Sequence, residues 1–156
     1  MPTAVLVTTA DAVLNVLADN DFSQDFEPQR SYADWDLPLE DSDDLNVDVV
    51  PVNAPDFELE TRESISYAPQ VDIVIRKRLV QEEQEADGSL VLSVIDDLVY
   101  LVQQIAEFFV TDRFSEVESI IWQRTQILAA YKASHLRQHR QFTGIIRLTF
   151  TATSDL

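Results

Sequence analysis

His135-Leu136-Arg137-Gln138-His139-Arg140-Gln141-Phe142-Thr143-Gly144-Ile145-Ile146-Arg147-Leu148-Thr149-Phe150-Thr151 opens as a short polar, basic run and turns into an alternating stretch. Phe142, Gly144, Ile146, Leu148 and Phe150 fall on one side, and Thr143, Ile145, Arg147, Thr149 and Thr151 on the other. Period-two alternation of this kind marks a strand with one buried face. A second such strand is expected over Val71 to Val80, with Val71, Ile73, Ile75 and Leu79 inward and Asp72, Arg76 and Arg78 outward. Between the two, from about Ser89 to Val110, apolar residues recur in steps of one and three: Leu90, Val91, Val94, Ile95, Leu98, Leu101, Val102, Ile105, Phe108 and Phe109. That is one wide stripe of an amphipathic helix. Asp87 or Ser89 is expected to cap its start, and Arg113 to sit near its negative end.

Thr8 or Thr9 is positioned to cap a short helix over residues 10–19, with Val13, Leu14 and Leu17 as its apolar stripe. Arg30 to Trp35 is a candidate strand bracketed by Pro28 and Pro38, and Glu40-Asp41-Ser42-Asp43-Asp44 reads as an exposed loop. Leu45 to Val52 reads as a strand with Leu45, Val47 and Val49 on one face, and Pro51 and Pro55 give it an edge position or an early end. Glu58 to Tyr67 is expected to be a strand or extended arm, Val117 to Ile127 a weakly alternating strand, and Leu128 to Gln141 a loop or short helix. The order predicts an α+β fold: a mainly antiparallel sheet of about four to six strands with two helices packed on one face. The expected organisation is a single domain over residues 1–156, with an acidic loop at about 36–46 and an arm at about 55–68.

With 156 residues, 46% of them hydrophobic, the chain can bury a core, and its formal charge of −17 disfavours binding to duplex DNA or anionic membrane. The charge is segregated. Residues 1–64 carry sixteen acids and two bases, residues 65–114 nine and four, and residues 115–156 three and five. Such asymmetry suits head-to-tail association of copies, and equally a solvated acidic loop. No cysteine is present, which removes disulfides and thiolate sites. No apolar run reaches the roughly 18–20 residues of a bilayer crossing. Met1 to Thr9 lacks the basic start and cleavage site of a signal peptide, so a cytoplasmic origin is expected.

Gly88 and Gly144 are the only glycines, too few for a phosphate loop, a dinucleotide fingerprint or a nucleophile elbow. His135 and His139 would share a helix face, but Leu136 stands where a zinc protease needs Glu, and Arg137 and Arg140 would repel a cation. Asp41, Asp43 and Asp44 resemble a calcium loop loosely, with Asn46 and Val52 where that loop needs Gly and Glu. Asp96 and Asp97 are expected on the polar side of the long helix. No catalytic, cofactor or metal residue is assigned. The candidate contact residues are Arg76, Arg78, Asp41, Asp43, Asp44, His135, Arg137 and Arg140, the arginines of the 76–78 cluster facing an acidic loop of another copy.

Three segments together resemble the tail terminator, or tail-completion, proteins of long-tailed bacteriophages and prophages: Val71-Asp72-Ile73-Val74-Ile75-Arg76-Lys77-Arg78-Leu79, the helix around Ile95 to Phe109, and His135-Leu136 through Arg140-Gln141-Phe142-Thr143 with Ile146 to Phe150. The resemblance implies a structural virion protein without catalysis, assembled in the host bacterial cytoplasm. It implies a ring, usually of six copies, that caps the tail tube, stops its polymerisation and joins the head connector. Its partners would be further copies of itself, the tube protein and a connector or stopper protein, with genomic DNA passing through the lumen. Three other readings compete: another neck protein (head-completion, stopper or head-tail connector), an acidic DNA-mimic inhibitor, and a small carboxylate hydrolase, against which the two glycines and the absence of cysteine argue.

Overall fold

The computed structural model describes residues 4–32, 44–52, 57–59, 64–80, 90–110, 114 and 119–155. In chain order these form α1 (Val5–Ala18), β1 (Pro28–Arg30), β2 (Asn46–Pro51), β3 (Phe57–Leu59), β4 (Ser64–Tyr67), β5 (Gln70–Arg78), α2 (Leu92–Phe108), β6 (Ile120–Ala129), α3 (Ala133–His139) and β7 (Gln141–Asp155). The fold is mixed α+β around a mainly antiparallel sheet of order β1-β2-β5-β7-β4-β3, with β6 also paired to β7. The β1–β2 pair is parallel.

The alternating stretch near the end of the chain becomes β7, the spine of this sheet. Along one edge it pairs with β5, from Gln70↔Thr149 to Arg78↔Gln141, and then with β4, from Tyr67↔Ala152 to Ser64↔Asp155. The register does not slip between the two. Residues 64–78 run as one line against residues 141–155, interrupted at Ala68-Pro69, where proline has no N–H to offer the ladder. The Pro69 carbonyl still accepts the Phe150 N–H at 3.0 Å. β6 takes the other edge of β7, with register shifts between Trp122 and Arg124 and between Ile127 and Ala129. β1 and β6 therefore lie at opposite edges of the sheet.

Alternation decides the core. Val47 and Val49 of β2, Val71, Ile73 and Ile75 of β5, and Phe142, Ile146, Leu148 and Phe150 of β7 are buried in one hydrophobic cluster. Ala10, Val13 and Leu17 of α1 and Leu98, Leu101, Val102 and Ile105 of α2 join the same cluster. At Gly144 the packing of α2 on β7 leaves no room for a side chain: a Cβ there would lie 2.6 Å from Val102 Cγ2, so its neighbours would have to shift.

Several boundaries differ from the sequence expectation. α1 starts five residues early, at Val5. Its N-cap is Ala4, without a side-chain cap. Thr8 and Thr9 sit inside the helix, where their hydroxyls donate back to the Ala4 and Val5 carbonyls at 3.3 and 2.8 Å. Of the strand expected at Arg30 to Trp35, Arg30 closes β1, Ser31 and Tyr32 lie outside any strand, and residues 33–35 lie outside the described residues. β2 ends at Pro51, but it is not an edge strand, because β1 covers Val47 to Val49. The 57–67 arm folds back on itself as two paired strands, β3 against β4. The segment expected as a loop or short helix over 128–141 does hold a short helix, α3. The expected caps Asp87 and Ser89, the Arg113 position and residues 36–43 of the acidic loop lie outside the described residues.

Candidate assembly surface

The second side of the central strands was expected to face outward, with Arg76 available to a partner. It does not. Asp72, Val74 and Arg76 of β5 are buried, as are Thr143 and Ile145 of β7. The charges survive burial by pairing. Arg147 stands directly opposite Asp72 in the β5–β7 register and grips it with both arms of the fork, Nε to Oδ1 at 2.8 Å and Nη2 to Oδ2 at 3.0 Å. The Asp72 hydrogen bond raises the Arg147 pKa above the ordinary guanidinium value against the opposing effect of burial. That stabilisation is complete below the ordinary value and is lost only as pH climbs through the raised one, so Arg147 adds no pH dependence near neutrality. Arg76 Nη2 donates to Asp48 Oδ2 of β2 at 2.6 Å, and among the described residues its buried Nε has no acceptor.

His135 is also buried rather than at the surface. Its Nδ1 hydrogen-bonds Thr143 Oγ1 at 2.7 Å, and Gln141 Nε2 donates to the same hydroxyl at 2.9 Å, which ties α3 to the start of β7. The His139 ring lies 5.7 Å from that of His135, so the two share a helix face as the spacing predicts. Among the described residues no three His, Asp or Glu side chains are grouped to hold a metal ion.

The remaining candidates divide by position. Asp41 and Asp43 lie outside the described residues, and Asp44 is exposed in the bend before β2. Arg78 is exposed at the end of β5, opposite Gln141, so it shares one end of the sheet with Arg137 and Arg140. Arg140 ends α3 in the left-handed conformation, φ 48° and ψ 44°, the one non-glycine residue with positive φ among the described residues. Such C-terminal positions are normally given to glycine or asparagine. The Leu79 N–H donates to the Arg140 carbonyl at 2.8 Å, which fastens this corner to the end of β5. Within the described residues Arg137 and Arg140 are exposed and take part in no ion pair. The structure thus removes Arg76 and His135 from the surface and gathers Arg78, Arg137 and Arg140 at one corner.

β6 stands close to the weakly alternating strand expected over Val117 to Ile127; what the sequence reading lacks is that this strand lies at an outer edge with apolar side chains exposed. Among the described residues it pairs only with β7, and Ile121, Ile127, Leu128 and the following Tyr131 are 52, 44, 42 and 53% exposed. A hollow lined by Ala106, Val110, Thr125 and Ile127 runs between α2 and β6. One signal was legible: residues 119–154 contain no acid at all, in a chain with 28. Among the described residues no helix is long and apolar enough to cross a membrane. The chain matches no protein-family model and no curated protein.

Proposed function

We propose that this chain is a ring-forming tail terminator of a long-tailed phage or prophage. Copies close a ring on the end of the tail tube, six by the family resemblance, stop tube polymerisation and present another face to the head connector. The reading is carried by one observation: the three segments that bear the resemblance are neighbours in space. Val71–Leu79 and Phe142–Phe150 meet along the β5–β7 ladder, and residues 95–109 pack as α2 into the same hydrophobic cluster.

On this reading the chain is one domain, α1 and α2 form one layer on one face of the sheet, and the protein resides in the virion neck after assembly in the host cytoplasm. The role is carried by contact surfaces, a heterologous contact that closes into a ring and a second face for tube and connector. Part of the acidity of residues 1–64 lines the channel, where it repels phosphates and lets the genome pass without sticking.

The test is to grow tail tubes from a long-tailed phage's tube protein with and without this protein, and to measure tube length and end structure by electron microscopy. Capped tubes of reduced length are expected. Unchanged length and bare ends would overturn the reading. Rings that bind a head connector but leave tube growth untouched would instead favour another neck protein.

A further inference from the structure

α3 is seven residues long and has one buried residue, a histidine, His135. Its N-cap, Lys132, contributes no side-chain hydrogen bond, and Arg140 at its other end is held in the left-handed conformation. Isolated helices shorter than about 12–15 residues are marginal in water, so docking decides whether α3 forms. Leu136 is partly buried against the core, and His135, 3% exposed, supplies the polar tie. Its Nδ1 lies 2.7 Å from Thr143 Oγ1, and Gln141 Nε2 donates to that same oxygen at 2.9 Å. A hydroxyl has one proton to give and two lone pairs with which to accept. With Gln141 donating, the Thr143 proton goes to His135 Nδ1. That nitrogen must then be bare, so the imidazole is neutral and carries its proton on Nε2.

The same joint receives an imidazolium badly. A protonated Nδ1 donates to Thr143 Oγ1, which then accepts twice. The hydroxyl proton is left without an acceptor among the described residues, on a side chain that is fully buried. Burial itself also disfavours the charged ring. The charged groups around the joint among the described residues act in the same direction. Lys132, Arg137, His139 and Arg140 belong to α3 and its two ends, the His139 ring 5.7 Å from that of His135. In β5, Arg76 stands opposite Thr143 and Arg78 opposite Gln141. Asp48 of β2 is bonded to Arg76, and Asp72 of β5 to Arg147. From this geometry we infer that α3 is a pH-sensitive latch, docked on β7 while His135 is neutral and released when His135 takes up a proton. Release moves the basic corner, because Arg137 lies on α3 and the Arg140 carbonyl is held by the Leu79 N–H at 2.8 Å. The latch does not depend on the terminator reading.

The chain has two histidines and no cysteine, so a titration between pH 7.5 and 5 can be assigned. The experiment is amide hydrogen exchange of the full-length protein across that range, corrected for the intrinsic pH dependence of exchange. Undocked, His135 charges near the ordinary histidine value of about 6.5; docked, it charges only at lower pH. Docking is therefore complete above about pH 6.5 and is lost as pH falls below it. Protection of residues 133–139 should fall towards about tenfold per pH unit, the slope of one proton, while β5 and β7 amides hold theirs. His139→Gln should keep this fall, and His135→Gln should remove it. Flat protection of α3 in the wild type would overturn the latch. So would a fall that persists in His135→Gln, or β5 and β7 amides that weaken in step with α3. If His135→Gln leaves α3 unprotected at every pH, the imidazole carbon shifts of the His139→Gln protein, which has a single histidine, decide instead. Charging below free histidine upholds the latch. Charging at or above it, as when a turned Gln141 amide takes the Thr143 proton, overturns it.

Discussion

Arg76 is enclosed within the polar side of the sheet, with one Nη on Asp48 and its Nε without an acceptor among the described residues. Removing the carboxylate leaves a buried guanidinium uncompensated, so Asp48→Ala should lower stability by about 3–5 kcal/mol in urea unfolding. Replacing both partners together, Arg76→Met with Asp48→Leu, should recover most of that loss, since a packed apolar pair of similar volume avoids the desolvation cost. Arg140 supports the opposite kind of test. Its left-handed backbone costs about 1–2 kcal/mol for a residue with a Cβ. Arg140→Gly should therefore raise the urea midpoint while weakening assembly in native mass measurements, two effects that a purely structural residue would not separate. Alternation placed Arg76 correctly on the side of β5 away from Ile73 and Ile75, but alternation says only which side, not whether that side is covered. Its partner Asp48 lies 28 residues away in sequence, and Arg147, the partner of Asp72 on the same side of β5, lies 75 residues from it, distances that no local pattern reports.

The elements that sequence foresaw best are those with the cleanest period. β5, β7 and α2 emerged within a few residues of their expected spans because one packed face dominates each. β6 was foreseen only as a weak alternation, and its two register shifts explain why: each extra residue resets which side chains share a face. Residues 57–67 contain no Gly, Pro or Asn to mark the reversal between β3 and β4, so their sequence reads as one strand or arm. α1 starts earlier than its threonines suggest, because Thr8 and Thr9 are not caps and their hydroxyls donate to carbonyls four residues back. The true N-cap, Ala4, is exposed and contributes no side-chain hydrogen bond, and the first turn holds no acid. Ala4→Ser should thus stabilise the protein by about 0.5–2 kcal/mol, measured as a shift of the urea midpoint at unchanged slope. A null result would mean that α1 is held by Val13 and Leu17 in the core so firmly that its first turn is irrelevant to global unfolding.

At the scale of the molecule, the charge asymmetry becomes a spatial one. α1 packs on β1, β2 and β5, and the acidic segment after it lies against α2, with the Ser23 N–H on Gln104 Oε1 and Phe22 on Phe108, while the acid-free run from residue 119 builds β6 and the centre of the sheet. Self-repulsion from a net charge of −17 opposes any association of copies, so a ring contact must bring opposite charges together or rely on apolar area alone. Salt distinguishes the two. Screening shortens from about 10 Å at 0.1 M to about 3 Å at 1 M, which weakens attraction between unlike charges and also relieves repulsion between whole molecules. If Arg124, Arg137 and Arg140 orient the contact, assembly should be fastest at low salt, and its rate should fall as salt rises. Charge reversal of the three arginines to Glu should invert that dependence, since only repulsion is then left to screen. If the Ile127 and Leu128 strip acts alone, the same titration should strengthen assembly, because only the repulsion is being screened. Light scattering across a salt series, on wild type and the triple reversal, reads the sign of the slope directly. A rate that rises with salt in the wild type would remove the charged rim from the contact and leave its apolar centre.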